Sequence, residues 1–168
     1  MQDVIDTALT EWRARFPGAD LAVLELSGRL ALAQRIMSSR SAEVLADHDL
    51  ELWEWDVLAA LWRSSDQELT MGEIGAQTFI TAGSVTHRVG RLERRGLVER
   101  RQDPASRRRV LVRLTLRGEE TAEVIAPSVA QAALGDAKHL TRLDLTRLNQ
   151  DLTILTQLMA GRASGGDR

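Results

Sequence analysis

The chain has 168 residues, 43% apolar and 27% charged, with a net charge of −2; that suits one globular domain with enough chain for a core. It has no cysteine, and its three histidines (48, 87 and 139) lack metal-ligand spacing, which excludes disulfides, thiol sensing and a zinc site. There is no apolar run long enough to span a bilayer and no signal-peptide pattern, so a cytoplasmic protein without membrane contact is expected.

Residues 3–16 are predicted to form a helix, with Ile5, Leu9, Trp12 and Phe16 on one face and Pro17-Gly18 as its stop. Trp12 serves there either as packing or as part of a ligand wall. Asp20 is placed to cap a second helix running to about Ala46, whose Val23, Leu26, Leu30, Ala33 and Met37 recur at helical spacing. A third helix is expected over 49–64. Asp56 is the only charge in its WDVLAALW stretch. It is either a solvated or ion-paired edge, or an acid that meets a ligand from apolar surroundings that raise its pKa. Residues 69–77 read as a short helix capped at Thr70, with Glu73 three residues on.

Residues 81–117 dominate the chain electrostatically. Eleven arginines face three acids, Glu93, Glu99 and Asp103, which leaves +8; the remaining residues carry −10. A basic block in an otherwise acidic chain is the footprint of a polyanion-binding surface. The block also has order. Thr81 can cap a helix in which Val85, Val89 and Leu92 form an apolar stripe, and Gly96 is placed to stop it. Leu97 and Val98 begin an extended segment, Asp103-Pro104 marks a turn, and Arg107 to Arg109 lead into the strand-like run from Val110 to Leu114. Two short helices followed by a β wing make a winged helix-turn-helix. The same wheel puts Ser84, His87 and Arg91 opposite or beside the apolar stripe, with Thr86 a weaker candidate for contact with base edges. Arg107 and Arg108 are candidates for the minor groove. Arg94 and Arg95 are expected at phosphate or solvent, and Arg113 and Arg117 in solvent. Double-stranded DNA is therefore the expected partner.

A long helix is predicted after Thr115, bent or broken at Pro127. A further helix should start near Thr141, with Asp144 completing a capping box. Its Leu145, Leu148, Leu152, Leu155 and Met159 form a seam suited to a partner helix. The N- and C-terminal helices hold more apolar stripe than a small winged module can cover, which points to a two-fold homodimer. Residues 161–168 read as a disordered tail.

Residues 69–118 resemble the winged helix-turn-helix of MarR-type transcription regulators. The matching pieces are Arg91-Leu92-Glu93, Gly96-Leu97-Val98-Glu99-Arg100, Asp103-Pro104, Arg107-Arg108, and Leu114-Thr115 with Gly118; Ser106 stands where the family usually has Asp. TEWRARFPGADL, WEWDVLAALWRS and FITAGSVTHRVGRLE further resemble the urate-responsive branch of that family. That likeness implies a ligand site of Trp12, Asp56, Arg88 and Arg100. It suits a planar anion: arginine offers a charged donor fork, aspartate accepts from ring N–H groups, and an indole covers a flat ring.

The expected architecture is all-α with a small β wing. One domain spans 1–168: N-terminal dimerisation and pocket helices over 1–48, the winged helix-turn-helix over 49–118, C-terminal dimerisation helices over 119–160, and the tail. The expected function is a dimeric DNA-binding transcription regulator, most simply a repressor released from a pseudo-palindromic operator by urate or a related purine. No cofactor is expected. A phenolic or other aromatic acid is the rival effector, disfavoured because Asp56 would repel its carboxylate. A winged-helix protein-interaction module is the rival class. An enzyme is not expected, because no nucleophile–base set, metal spacing or phosphate-binding glycine loop is present.

Overall fold

The structure is a computed structural model that describes residues 3–104, 106–135 and 137–163; the side chains of residues 82, 107, 108, 134, 137–139 and 161–163 are outside the description. In chain order the elements are α1 (Val4–Arg15), α2 (Ala22–Ala46), α3 (Leu52–Arg63), β1 (Glu68–Thr70), α4 (Met71–Thr78), α5 (Ala82–Arg94), β2 (Val98–Asp103), β3 (Ser106–Leu114), α6 (Leu116–Leu134), a 3-10 turn (Ala137–Arg142) and α7 (Leu145–Ala163). The fold is mostly helical with one small antiparallel wing sheet, as expected. The chain divides into two compact units, Met1–Ala133 and Leu134–Arg168, where length alone suggests one.

Helix ends follow from local chemistry. Asp3 accepts the Ile5 N–H at the start of α1, and Asp20 accepts the Ala22 N–H (3.0 Å) at the start of α2. Helix α3 begins three residues later than its apolar pattern suggests, because the Glu54 carboxylate turns back to accept the Glu51 N–H (3.0 Å). The box at Thr70 and Glu73 forms as read: Thr70 Oγ1 accepts the Glu73 N–H, and Glu73 accepts from the Thr70 N–H. Those bonds, the Thr70 N–H first, hold the Glu73 carboxyl below its ordinary pKa. Gly96, at φ +70°, ends α5 in the left-handed region that costs glycine least.

The core of the first unit gathers Leu45 of α2, Val57, Leu58 and Leu61 of α3, Ile74 of α4, and Val85, Val89 and Leu92 of α5. Val98, Val112, Ile125 and Val129 close it from the sheet and α6. The stripe on α5 is fully buried, so its period was read correctly. Gly75 lets α4 and α5 approach closely: a β-carbon there would lie 3.3 Å from Val85 and 3.2 Å from the Ile80 carbonyl.

Three expectations need correction. The sheet has three strands in the order β1-β3-β2, and β1 pairs Leu69 with Val112. Leu69 and Thr70 were expected at the start of a helix; they form a strand because Leu69 fills the sheet's core face before the cap turns the chain. Pro127 does not break the helix; α6 runs from Leu116 to Leu134 with the proline inside it. Thr141 lies in the 3-10 turn, and Asp144 itself caps α7 by accepting the Arg147 N–H (3.0 Å). A carboxylate one residue before the first helical turn reaches the free N–H groups directly. The second unit's helix, α7, extends to Ala163, and residues 164–168 of the expected tail lie outside the described residues. Leu145, Leu148 and Met159 of its seam are exposed. In the first unit so are Val23, Leu26, Leu30 and Met37 of α2.

Candidate nucleic-acid interface and effector site

Helix α5 stands with its apolar stripe inward and Ser84, Thr86 and His87 exposed on the opposite side. Thr81 takes the N-cap position in extended backbone, and its hydroxyl donates to Ser84 Oγ (3.0 Å) instead of accepting a helix N–H. The first turn of α5 thus presents its backbone N–H groups outward. Strands β2 and β3 form the wing, with Gln102 bracing its tip by donating to the carbonyls of Ser106 (3.2 Å) and Arg109 (2.9 Å). Arg107 and Arg108 sit on β3 at that tip, and their side chains lie outside the described residues.

Much of the basic block is engaged inside the chain. Arg91 pairs with Glu51 (2.6 Å) and approaches Glu54 (3.6 Å). Arg95 pairs with Glu54 (2.7 Å) and Asp49 (3.3 Å). Arg101 pairs with Glu68 (2.6 Å), Arg113 with Glu99, and Arg117 donates to the Arg95 carbonyl. Arg95 and Arg113 are thus ion-paired within the chain, which their sequence positions do not reveal. The acids that take Arg91, Arg95 and Arg101 lie outside the basic block, so sequence spacing could not pair them.

Glu54 is the residue that the sequence reading missed. It is fully buried. Its Oε2 accepts from Arg95 and from the Glu51 N–H, while Oε1 has only Arg91 Nε beside it and no hydrogen bond. A buried carboxylate held this way needs its cations. The fixed acid beneath α5 is thus Glu54, two residues before the acid that stands out in the sequence.

The four proposed ligand residues are placed as follows. Asp56, on α3, makes no ion pair within 4 Å among the described residues. Desolvation by the surrounding protein raises its pKa, opposed by Arg88 and then Arg63. The guanidinium carbon of Arg88 lies over the indole of Trp53, 5.4 Å from the ring centroid, and Arg88 makes no hydrogen bond or ion pair among the described residues. Arg100 lies across Gly90 and donates to the Thr86 carbonyl (3.2 Å), with Glu93 3.5 Å away. It thereby ties β2 to the middle of α5. Trp12 stacks on Phe16 (5.3 Å) at the end of α1, beside a cleft also lined by Glu11 and Arg15. Asp56 and Arg88 are thus within electrostatic reach of each other, Arg100 grips the same helix from the other strand, and Trp12 contributes to a separate cleft.

The raised pKa of Asp56 has a testable sign. Its folded-state value lies above its unfolded value, so ionisation costs stability once the pH exceeds both, and that cost disappears as the pH falls through the raised value. Asp56 is exposed, so solvent screens most of this cost; Asp56→Asn should therefore raise the melting temperature at neutral pH only slightly, by about 1 °C, and the gain should vanish in acid. An unchanged or lower melting temperature at neutral pH would contradict the desolvation argument.

Residues 48–109 match the MarR family. Over 97 residues the chain is 33% identical to the uncharacterized HTH-type transcriptional regulator YkoM of Bacillus subtilis, covering 58% of this chain and 62% of that protein. The chain spans less than two thirds of the length of the curated relatives it matches. Among solved structures it is similar to AbsC, a MarR family transcriptional regulator from Streptomyces coelicolor, with a TM-score of 0.73, 22% identity, and 83% and 96% of the two chains covered. It is also similar to Bordetella bronchiseptica BpsR, whose DNA binding is regulated by 6-hydroxynicotinic acid, with a TM-score of 0.63, 23% identity, and 80% and 98% covered.

Proposed function

We propose that this chain, whose residues 48–109 match the MarR family, is a dimeric, effector-responsive DNA-binding transcription regulator, most simply a repressor released from its operator by urate or a related purine. The observation that carries the reading is the exposed Ser84, Thr86 and His87 face of α5, set opposite a fully buried stripe and flanked by an arginine-rich wing. This face enters the major groove, and Arg107 and Arg108 reach for the minor groove beside it. Arg91 is the least free of the groove candidates, since Glu51 and Glu54 hold it. The exposed apolar faces of α2 and α7 are covered in a two-fold homodimer. The half-sites then lie about 10 base pairs apart on a pseudo-palindrome.

The effector bridges Asp56 to Arg88, with Arg100 bracing the helix that Arg88 rides on; Trp12, at its separate cleft, stands outside this bridge. An anion held this way pulls on α5 itself, and a tenfold loss of DNA affinity requires about 1.4 kcal/mol of differential binding. An aromatic acid is a second reading, favoured by one observation: the DNA binding of BpsR is regulated by 6-hydroxynicotinic acid.

Fluorescence anisotropy with DNA from upstream of the protein's own gene tests both halves. The expected result is tight binding that weakens steeply with salt, is released by urate, and is no longer released in Asp56→Ala or Arg88→Ala. Release by 6-hydroxynicotinate but not urate would select the second reading. Affinity that stays flat from low to moderate salt would overturn the phosphate-contact argument. Arg107→Ala/Arg108→Ala with undiminished DNA affinity would favour a protein-interaction module instead.

A further inference from the structure

Two arginines of the recognition helix share one indole. Arg88 lies 5.4 Å and Arg91 5.1 Å from the centroid of Trp53, on the first turn of α3. The ring is fixed in turn by Glu51, which accepts the Trp53 Nε1–H (2.6 Å) and the Arg91 guanidinium (2.6 Å). The indole bond first, and then Arg91, holds the Glu51 carboxyl below its ordinary pKa. The two arginines differ in what else they touch. Arg91 has acids at its edge, whereas Arg88 has, among the described residues, the face of the ring, with Asp56 close enough to act on it through space.

A guanidinium stacked on an aromatic ring is held through its face, which leaves its N–H edge free to donate in its own plane. Without the ring, an arginine with no partner samples many rotamers and must lose that freedom when an anion binds. We propose that Trp53 is the positioning residue of the effector site: its indole sets the plane of the Arg88 guanidinium and so selects flat anions that can lie along that edge beside Asp56. This rests on the effector reading above and adds Trp53, a residue that neither the sequence motifs nor the family likeness singled out. Trp12, stacked on Phe16 at the end of α1, does not take this place.

Two conditions separate this role from mere packing. A positioning ring should matter for planar anions and not for a spherical one, and another flat ring should restore it. Calorimetric titration of the full chain with urate, with 6-hydroxynicotinate and with inorganic phosphate reads both. Trp53→Leu is expected to weaken whichever planar anion the wild type binds by about tenfold, with phosphate affinity unchanged. Trp53→Phe, which keeps a ring under Arg88 but loses the bond to Glu51, should recover most of the loss. Melting curves of both variants at matched protein concentration check that the fold is kept. If Trp53→Leu unfolds the chain, Trp53→Met, likewise without a ring, set against Trp53→Phe gives the same comparison with the same expected and overturning results. Equal affinity of wild type and Trp53→Leu for the planar anion, or a parallel loss for phosphate, overturns the proposal. Failure of the effector reading itself would show in the wild type alone, as no binding of either planar anion, and the proposal would fall with it.

Discussion

Arg95→Ala is expected to cost about 3 kcal/mol of folding stability, the low end for removing one partner of a buried ion pair. The reason is Glu54. Its carboxylate is fully buried, and Arg95 supplies its 2.7 Å charged partner. With Arg95 gone, the Glu51 N–H still donates, but the one cation left among the described residues is Arg91, at 3.6 Å, and one oxygen already lacks a hydrogen bond. The charge cannot follow its partner into water, because it sits under α5 within the first turn of α3. Glu54→Met should cost much less, about 1 kcal/mol, since a similar volume stays filled and the two arginines, both partly exposed, can turn to solvent. Urea unfolding at one protein concentration, which fixes any contribution from dimerisation, measures both. If the arginine variant is no less stable than the methionine variant, Glu54 is not the buried charge that the geometry describes.

Gly118→Ala is the second large effect, also about 3 kcal/mol. A β-carbon at residue 118 would be driven into the Leu97 carbonyl oxygen, and would lie 2.9 Å from the carbonyl carbon and 3.3 Å from Leu114. The obstacle is backbone, so no side chain can turn aside. That carbonyl also accepts the Thr115 N–H (3.1 Å), and Thr115 Oγ1 bridges the Gly96 carbonyl (2.7 Å) to the Gly118 N–H (3.1 Å). The start of α6 must therefore withdraw from the β2 end of the wing and break this set together. Overpacking costs typically about 1–3 kcal/mol, and a rigid neighbour places this case at the top of that range. A fall in melting temperature of roughly 6–12 °C is expected. A fall below about 2 °C would mean that α6 approaches the wing less closely than described.

What the sequence made legible was local. The stripe of Val85, Val89 and Leu92, the box at Thr70 and Glu73, and the stop at Gly96 each follow from residues within two turns of one another, and each appears as read. What escaped was set by distant partners. Strand β1 is three residues long, too short for an alternation to declare itself, and exists because Val112 lies opposite Leu69. Glu54 reads as an ordinary acid in a helix's first turn; its burial depends on an arginine 41 residues away. Asp56 drew attention for its apolar neighbours, although the helix turns it outward and Glu54 inward. Trp53 was one of four tryptophans, and only the placement of α5 gives it two cations. Pro127 illustrates the opposite limit: a residue rule predicted a bend or a break, and α6 runs on through the proline with Ile125 and Val129 packed into the core.

The pairing of the basic block on the chain's own acids has a consequence for how DNA binding would depend on salt. Each phosphate neutralised on duplex DNA contributes a slope of roughly −0.9 to log affinity against log salt, through counterions set free. An arginine already resting on a carboxylate must give up that carboxylate before it can take a phosphate, so it frees a counterion from the DNA while recruiting one to the bared acid. Arg91, Arg95, Arg100, Arg101 and Arg113 begin in that condition. Their contribution to the exponent nearly cancels. The salt exponent therefore counts the arginines that start uncommitted, and its size measures how much of the basic block was held in reserve by the protein itself.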